Sequence, residues 1–578
     1  MTADFPLQLN FQWAPELPPA LIFFASAALL MLLRGEATAL VRKAVLLATP
    51  VIGAINLLTL ETGSFWVWSV LDFDLVQLRV DRLSMLFGLL FHLGALLGII
   101  YALRVRELTQ HVAALVYAGS ALGAVFAGDL ISLFFYWEGM AVSSALLVWA
   151  GRTGESNAAG LRYLILHLLS GLLLLAGAII LYQNTGDISF DYIGTDGLAG
   201  WLLLLAFGIK CGFPFFHSWI TDAYPQSTPT GTVFLSMFTT KVAIYSLARG
   251  FPGTELLIPI GTVMALFPIF YAVIENDLRR VLGYSMINQI GFMVVGVGIG
   301  TELALNGAVA HAFNEVLFKG LLFMSMGAVL FRVRHVLGSD LGGLYRSMPF
   351  TTIFCVVGAA SISAFPLFNG FVSKSMIMSA LIEQGHTIAW LGLLFASAGV
   401  FHHAGIKIPY FAFFGHDSKI RVREAPGNML LAMGLAAVLC IFVGSYPAVL
   451  YGLLPWQSAY EPYTYAHVMV QVQLLLFSAL AFAWLKLTNV YPPELRSVNL
   501  DADWLYRRLL PGAGKIFLPA ATFMQGLFSG AAGYTVSRVR QWFIEPRTVL
   551  AAGTQSGTAV LLVGVLLAGY LLFYYVSS

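Results

Sequence analysis

The stretch Gly208-Ile-Lys-Cys-Gly-Phe-Pro-Phe-Phe-His-Ser-Trp-Ile-Thr-Asp222 follows an apolar run and is the most informative segment of the sequence. It places Lys210 near the end of a predicted membrane helix and interrupts that helix at Pro214, because proline lacks an N–H and clashes with the carbonyl four residues earlier. That carbonyl belongs to Lys210 itself, so we expect an ionisable amine beside a freed backbone acceptor. Irregular backbone at membrane depth is tolerated only inside protein or against a water-filled cavity. A lysine in that position is usually functional.

The composition is that of a membrane protein. Of 578 residues, 59% are hydrophobic and 10% are charged, whereas soluble domains carry about 25% charged residues. The net charge of +2 gives no indication of a nucleic-acid partner. The three cysteines lie in apolar runs, and no metal-binding, nucleotide-binding or haem motif is present, so we expect no cofactor and no metal site. The first apolar run lacks the flanks of a cleavable signal peptide and is interpreted as a span.

Apolar runs of membrane-spanning length recur along the whole chain. Their number predicts an all-α polytopic protein of about 16 spans. The expected ranges are 18–33, 44–60, 83–103, 112–128, 130–150, 162–182, 199–222 (broken), 230–249, 256–274, 281–299, 304–331, 350–382 (broken), 388–414, 428–450, 466–489 and 556–576.

Basic residues occur in alternate loops, as in Arg42, Lys43, Arg104 and Arg106, while the intervening Glu61–Asp81 is acidic. The positive-inside rule then predicts that both termini lie outside. Residues 501–547 mix basic and aromatic side chains on the cytoplasmic side, which is typical of an interfacial linker or of a helix that braces the bundle along the membrane face.

A short motif occurs twice. Phe213-Pro-Phe-Phe216 reappears as Phe365-Pro-Leu-Phe368, so Pro214 and Pro366 each interrupt a span. A lysine lies near each break, and the next span carries another, at Lys241 and at Lys407. Spans 4–8 and 9–13 are therefore candidate repeats. Because five helices is an odd number, consecutive repeats would start from opposite sides of the membrane, as in inverted-repeat transporters.

Several ionisable residues fall inside predicted spans. Glu138 is alone in its span, and it is interpreted either as half of a structural ion pair or as a proton-accepting group that tunes a lysine. Lys241 is central in its span, where a charge needs a partner or a function. His311, Glu315 and Lys319 follow one another at intervals of four residues, which places base, acid and amine along one helical stripe. Lys374 follows the second break, where a snorkelling residue is the alternative.

Five further residues are secondary candidates. Lys407 lies near a cytoplasmic helix end, where snorkelling is a serious alternative. Asp129 and His217 are expected to line access paths, His167 to bridge Glu138 and Lys210, and His403 to titrate beside Lys407. By contrast, Glu275, Asp277, Arg279 and Arg280 are interpreted as a solvated loop.

The motifs together resemble a known family, the antiporter-like proton-conducting subunits of respiratory complex I, membrane-bound hydrogenases and Mrp-type Na⁺/H⁺ antiporters. Within that family the chain is most similar to the D-type subunit of the Mrp antiporters. The resemblance covers roughly residues 80–415. It rests on the segments Trp137-Glu138, Lys210–Asp222 with Pro229-Thr230, Thr240–Arg249, Asn276–Ser285, Gln289–Phe292, His311–Lys319 and Phe365–Lys374.

The resemblance implies a core of about 14 helices with two inverted five-helix repeats. It implies a Glu138–Lys210 pair, a central relay of Lys241, His311 and Lys319, and a terminal Lys374. Glu315 stands where complex I relatives often have histidine. The implied domains are N-terminal helices (1–110), repeat 1 (111–250), repeat 2 (251–415), C-terminal core helices (416–490) and an amphipathic lateral segment with a final span (491–578).

These patterns predict a proton-conducting transporter subunit of a bacterial inner membrane, and the resemblance implies Na⁺/H⁺ antiport. The expected partners are the lipid bilayer and other membrane subunits of a complex, with protons and Na⁺ as the transported ions. Two alternatives remain: a proton-pumping subunit of a redox complex, which would count as a translocase, and a proton-driven partner of a soluble enzyme. Otherwise the chain is not expected to be an enzyme.

Overall fold

The computed structural model describes residues 6–7, 16–35, 37–70, 73–457, 459–492, 494–496, 499–509, 511–513 and 515. The chain divides into two units, Met1–Asn499 and Leu500–Ser578. All the candidate residues lie in the first unit. The described part of the second contains a short π-helical turn, Leu505–Leu509.

The first unit consists of helices with one hairpin. Its elements are α1 (Pro19–Leu32), α2 (Ala39–Leu58), β1 (Gly63–Val70), β2 (Phe73–Val80), α3 (Arg82–Ala102), α4 (Leu108–Phe126), α5 (Leu130–Trp149), α6 (Gly154–Thr185), α7 (Gly197–Cys211), α8 (Ser218–Ala223), α9 (Gly231–Met237), α10 (Thr239–Gly250), α11 (Leu257–Ile274), α12 (Leu278–Ile299), α13 (Glu302–Val333), α14 (Pro349–Ile362), α15 (Asn369–Glu383), α16 (Thr387–Val400), α17 (Lys407–Pro409) between π-helical turns Phe401–Ile406 and Tyr410–Phe414, α18 (Gly427–Ser445), α19 (Pro447–Tyr451) and α20 (Tyr465–Leu487).

Twelve helical stretches in the described residues are long and apolar enough to cross a membrane, with shorter apolar helices at α1, α7 and α14. Each of the first 15 predicted spans coincides with one of these helices or with a pair of them. The predicted last span, 556–576, and most of the segment 501–547 lie outside the described residues.

The segment between spans 2 and 3, expected from the sequence to be a loop, contains a β-hairpin. Residues Gly63–Val70 and Phe73–Val80 pair as an antiparallel hairpin. Val76, Leu78 and Val80 occupy every second position of the second strand, a spacing of β-branched and apolar residues that favours a strand.

The two predicted repeats share their local construction. α5 and α12 each begin at an aspartate, Asp129 and Asp277, whose side chain accepts from the first turn of the helix. Each aspartate also forms an isolated antiparallel bridge to a later loop, at Ser189 and at Leu337. The helices that follow, α6 and α13, are both 32 residues long. Equivalent positions in the two halves therefore carry equivalent backbone contacts.

The first break also has a specific geometry. At the end of α7, Gly212 adopts a left-handed φ of 78°, and the N–H groups of Gly212 and Phe213 donate to Ile209 O (3.1 Å) and Gly208 O (2.9 Å). This pattern is a Schellman motif, in which a left-handed residue ends the helix and a proline often follows. The helix therefore stops at Cys211, before Pro214, and its end does not depend on a clash with the proline ring. This corrects the break predicted at the proline.

The second break repeats the first. Ala364 (φ 58°) takes the place of Gly212, and the N–H groups of Ala364 and Phe365 donate to Ser361 O (3.0 Å) and Ala360 O (3.1 Å). Each proline then occupies the second position of a turn whose third residue has positive φ, at Phe215 (71°) and Leu367 (73°). This is a type II turn with a non-glycine residue at the strained position.

The core contains charges that were expected from the sequence to be solvated. Glu275 and Arg279 are both 3% exposed. Arg279 donates to the carbonyls of Tyr224 (3.0 Å), Pro225 (3.0 Å) and Ser227 (2.8 Å). The guanidinium thus satisfies backbone acceptors in the turn between α8 and α9, and the solvated-loop interpretation is wrong for these residues.

Candidate functional site

The centre of the site is an ion pair between α10 and α13. Lys241 Nζ lies 2.6 Å from Glu315 Oε2, and both side chains are 0% exposed. Lys241 also donates to Ser236 O (2.9 Å) and Thr240 Oγ1 (3.2 Å). The helix is interrupted between α9 and α10, which leaves carbonyls at the end of α9 without helical partners. The Lys241 amine donates to one of these carbonyls, that of Ser236.

Lys210 contacts Trp137, the residue immediately before Glu138 on α5. Lys210 Nζ donates to Trp137 O (2.5 Å) and lies 4.2 Å from the centroid of the Trp137 ring. The two side chains interact electrostatically but form no ion pair within 4 Å in the structure. The Glu138–Lys210 pair implied by the resemblance is therefore an electrostatic interaction without a direct salt bridge, and the Lys210 amine donates to Trp137 O instead of to the carbonyls at its own helix end.

The carboxylate of Glu138 is held against α6 at Gly171. A Cβ at Gly171 would lie 1.6 Å from Glu138 Oε1. The helix therefore needs glycine there, because any larger residue would displace the carboxylate. Among the described residues neither oxygen of Glu138 has a hydrogen-bond partner.

The stripe on α13 is buried as predicted, with His311, Glu315 and Lys319 all 0% exposed, but its members contact three different helices. Lys319 Nζ donates to Ser285 Oγ (2.8 Å) on α12. The ring nitrogens of His311 lie 2.9 Å from Ser373 Oγ on α15 and 3.2 Å from Gln289 Oε1 on α12. The stripe therefore connects α10 with α12 and α15.

Lys374 on α15 is 4% exposed and does not snorkel. Its Nζ donates to Ile362 O (2.9 Å) and lies 5.0 Å from the centroid of the Phe292 ring. Ile362 is four residues before Pro366. The pairing of a lysine amine with a carbonyl freed by a break, predicted at Pro214, thus occurs at Pro366.

Two histidines are fully buried without partners for their ring nitrogens. Both nitrogens of His167 and of His403 lack a hydrogen-bond partner among the described residues. The His167 ring lies 4.0 Å from that of Tyr163 and 4.6 Å from that of Trp219, centroid to centroid. Buried polar atoms are almost always satisfied, so an unpaired imidazole in a helix core is a distinctive feature.

Lys407 is buried and caps the C-terminus of α11, so it does not snorkel to the membrane surface. It is 0% exposed, and its Nζ donates to Ala272 O (3.1 Å), Val273 O (2.6 Å) and Glu275 O (2.7 Å). It also pairs with Glu494 Oε2 at 3.1 Å. A cation is favourable at a helix C-terminus, and these contacts occupy the lysine at the end of α11.

Asp129 and His217 have local contacts of their own. The Asp129 carboxylate accepts from Ser132 N (2.7 Å), capping α5, and from Val76 N (2.7 Å), which fixes the hairpin to that helix. His217 is 4% exposed, and its ring centroid lies 4.5 Å from that of Phe267. Asp129 thus holds the hairpin and the start of α5 together.

Several uncharged partners and Glu494 were not predicted from the sequence. Ser285, Gln289 and Ser373 connect Lys319 and His311 to neighbouring helices. Serine and glutamine in apolar helices give a weak signal. The one available signal is the spacing of four residues between Ser285 and Gln289, which places both on the same face of α12.

Residues 127–401 match the family model described as "NADH:quinone oxidoreductase/Mrp antiporter, TM". The match begins beside α5 and ends at the π-helical turn after α16, so it contains the ion pair and both breaks. Residues 127–401 therefore belong to this antiporter-like family. The chain is a multi-pass integral membrane protein.

Curated relatives within the antiporter-like family have different names. Hydrogenase-4 component B of Escherichia coli (strain K12) is 28% identical over 421 residues, covering 64% of this chain and 62% of the relative. The A-type Na⁺/H⁺ antiporter subunit of Alkalihalophilus pseudofirmus is 30% identical over 428 residues, covering 64% of this chain and 52% of the relative. The D-type subunit from the same organism is 27% identical over 372 residues, with 59% and 74% covered. The chain thus spans between about half and three quarters of these relatives.

Solved structures share the fold. A chain of the membrane-bound sulfane sulfur reductase, described as an archaeal respiratory membrane complex, aligns with a TM-score of 0.71 at 23% identity, covering 96% of this chain and all of the other. A chain of the Mrp complex from Dietzia sp. DQ12-45-1b aligns with a TM-score of 0.63 at 20% identity, covering 80% and 95%.

Proposed function

We propose that this chain is a proton-conducting subunit in which buried lysine, glutamate and histidine side chains pass protons through the middle of the membrane. The Lys241–Glu315 contact of 2.6 Å, with neither side chain exposed, carries the proposal. Ions buried in a low-dielectric core are costly even when paired. A cost of that kind is retained in membrane segments chiefly for function.

The proposed transfer depends on changing partners. A nearby carboxylate stabilises a protonated lysine, and desolvation favours its neutral form. Moving Glu315 away from Lys241 would favour release of the lysine proton. Lys319 and His311, which lie on α13 together with Glu315, would receive it. Lysine suits this role because, unlike arginine, it can lose its proton in a dry site.

The proposed proton-transfer residues follow an order along the helix bundle. Lys210 and Glu138 serve the first repeat, Lys241 and Glu315 the junction, and His311, Lys319 and Lys374 the second repeat. His167 and His403 are proposed as intermediates, since each has free ring nitrogens in the described structure. Lys407 is assigned a modulating role because its amine is already held by three carbonyls and by Glu494.

The finer architecture is part of the proposal. The five helical spans from α4 to α10 and the five from α11 to the turn ending at Phe414 are taken as inverted repeats, with Pro214 and Pro366 following equivalent breaks. Within a bacterial inner membrane, with the N-terminus outside, the chain would work among other membrane subunits.

Na⁺/H⁺ antiport is the activity we assign first, because two of the relatives are Na⁺/H⁺ antiporter subunits. The second candidate is proton pumping in a redox-driven complex. It is favoured by the likeness to hydrogenase-4 component B and by the fold shared with a respiratory membrane complex.

Transport by the native complex tests the proposal. Everted membrane vesicles carrying the wild-type complex are compared with vesicles carrying Lys241→Met, using a fluorescent pH indicator. Lys419→Met is the matched control because Lys419 is exposed and lies in a loop away from these residues. We expect Lys241→Met to abolish ΔpH changes and Lys419→Met to retain them. Wild-type rates in Lys241→Met at normal protein levels would contradict the relay.

The driving force distinguishes the two activities. In an antiporter, adding Na⁺ to energised vesicles dissipates ΔpH, and addition of choline does not. In a redox-driven pump, ΔpH follows the supply of electron donor and is independent of Na⁺.

A further inference from the structure

A basic cavity lies apart from the proton-transfer residues. It has a volume of about 640 Å³ and opens between the ends of α1 and α3 and the starts of α2 and α4. Four cations, Arg42, Lys43, Arg104 and Arg106, line it. Its apolar wall includes Leu30, Leu46 and Leu103.

The cations of the basic cavity are available to a ligand. Lys43, Arg104 and Arg106 are exposed, and none of them forms an ion pair in the described part of the chain. Arg42 donates to Leu33 O (3.0 Å) and Gly35 O (2.7 Å), which fixes one arm of its guanidinium at the rim.

Acidic side chains do not neutralise the described lining, which contains no aspartate or glutamate. The adjacent Glu107 is already engaged by Arg152 and by Gln110. Glu36, in the loop before α2, lies outside the described residues.

Two helix starts add to the positive potential. α2 begins at Ala39 and α4 at Leu108, and neither has a side-chain cap. First-turn N–H groups lack helical partners, and the helix dipole places partial positive charge there. Both effects favour an anion.

The leucine wall determines the kind of anion. A soluble phosphate gains nothing from an apolar wall, whereas a phospholipid presents a phosphodiester joined to acyl chains. Basic pockets between membrane helices on the cytoplasmic side are suited to anionic headgroups, and the charge pattern of the loops assigns Arg42, Lys43, Arg104 and Arg106 to that side.

We propose that the basic cavity binds the headgroup of an anionic phospholipid. Lys43, Arg104 and Arg106 hold its phosphate oxygens, and its acyl chains pack on Leu30, Leu46 and Leu103. Four cations match a lipid with two phosphates better than one with a single phosphate. The bound lipid stabilises the position of α2. Only 33% of the residues in the apolar stretch of this helix are buried in the protein.

Lipid binding to the purified native complex tests this site. The complex is delipidated in mild detergent and titrated with cardiolipin, phosphatidylglycerol, phosphatidylcholine or inorganic phosphate, while native mass spectrometry counts lipid adducts and thermal unfolding is followed. We expect cardiolipin to bind most tightly and to raise the unfolding midpoint, phosphatidylglycerol to do so less, and phosphatidylcholine and phosphate to have no effect.

Removing two charges tests the residues. Each basic residue near a membrane surface contributes about 1 kcal/mol, so Arg104→Gln/Arg106→Gln should weaken cardiolipin binding roughly 30-fold. The matched control, Lys419→Gln/Arg423→Gln, removes the same charge from an exposed loop on the same predicted side and should retain wild-type affinity. If the double variant does not fold, Lys43→Gln should give about a fivefold loss.

Three outcomes would overturn the proposal. Unchanged affinity in the cavity variant would exclude these residues as ligands. Equal loss in the loop control would reduce the effect to general surface charge. Stabilisation by inorganic phosphate equal to that by cardiolipin would assign the cavity to a soluble anion.

Discussion

Lys241 and Glu315 form a pair in which each residue depends on the other. Removing one partner of a buried ion pair leaves an uncompensated charge, whereas removing both leaves an apolar contact of similar volume. The consequences for stability and for transport are therefore separable.

We expect Lys241→Met to destabilise the protein by about 3–5 kcal/mol because Glu315 is left buried without its partner. The double variant Lys241→Met/Glu315→Met should recover most of that stability and none of the transport. Thermal unfolding of the purified complex measures the first effect, and the vesicle assay measures the second. A double variant no more stable than Lys241→Met would contradict the pairing.

Gly171 gives a second test at this scale. Gly171→Ala should sharply lower proton transport with little effect on folding, because the new Cβ occupies the position of Glu138 Oε1. The matched control is Gly154→Ala at the start of the same helix, where a Cβ meets nothing within 4 Å. Transport at the wild-type rate in Gly171→Ala would show that the position of Glu138 is unimportant.

At the scale of elements, the two breaks are built alike but use different residues. Gly212 has no Cβ and adopts positive φ without strain. Ala364 adopts a φ of 58° against the steric preference of L-residues, which costs about 1–2 kcal/mol. The second break is therefore the more strained of the two at this position.

The difference predicts opposite effects of opposite substitutions. Gly212→Ala should destabilise the protein by about 1 kcal/mol, since the nearest side-chain atom, Ile220 Cδ1 at 3.1 Å, can move aside. Ala364→Gly should stabilise it by about 0.5–1 kcal/mol, the relief of strain less the extra chain entropy of glycine. Unfolding midpoints of the two variants check both signs, and a destabilised Ala364→Gly protein would refute the strain argument.

For the whole molecule, the alternation of charge in the loops predicts which side of the membrane each loop faces. Cys211, Cys355 and Cys440 are all buried, so they should react little with an impermeant maleimide. The wild-type protein therefore gives a low background for labelling of added cysteines.

Tyr192→Cys, in the loop after α6, should be labelled from outside intact cells, and Lys419→Cys only after the cells are opened. Both positions are exposed. Labelling of both from the same side would contradict the predicted orientation, and reversed labelling would place the N-terminus inside.

Much of the fold followed from the sequence because its signals are local. Apolar runs of membrane length predicted the helices of the described unit, and the repeated Phe-Pro motif located both breaks. The hairpin was missed because its two strands lie between predicted membrane spans, in a segment interpreted as a loop from its net charge. The burial of Glu275 and Arg279 was missed because a cluster of charged residues is usually exposed to solvent. The backbone carbonyls that bind Arg279 come from a distant turn, and the sequence does not show that they lie nearby.

Local sequence was enough to show which ionisable groups lie in membrane segments and roughly where the helices are interrupted, since the apolar runs and the repeated Phe-Pro motif can be recognised without knowledge of the packing. Which of these groups meet depends on the tertiary structure. Packing of the helices pairs Lys241 with Glu315, places Lys210 against Trp137, brings Lys374 to the carbonyl of Ile362 and joins Lys407 to Glu494. These contacts link residues far apart in the chain, and their geometry depends on how the helices pack, which hydropathy and spacing do not encode.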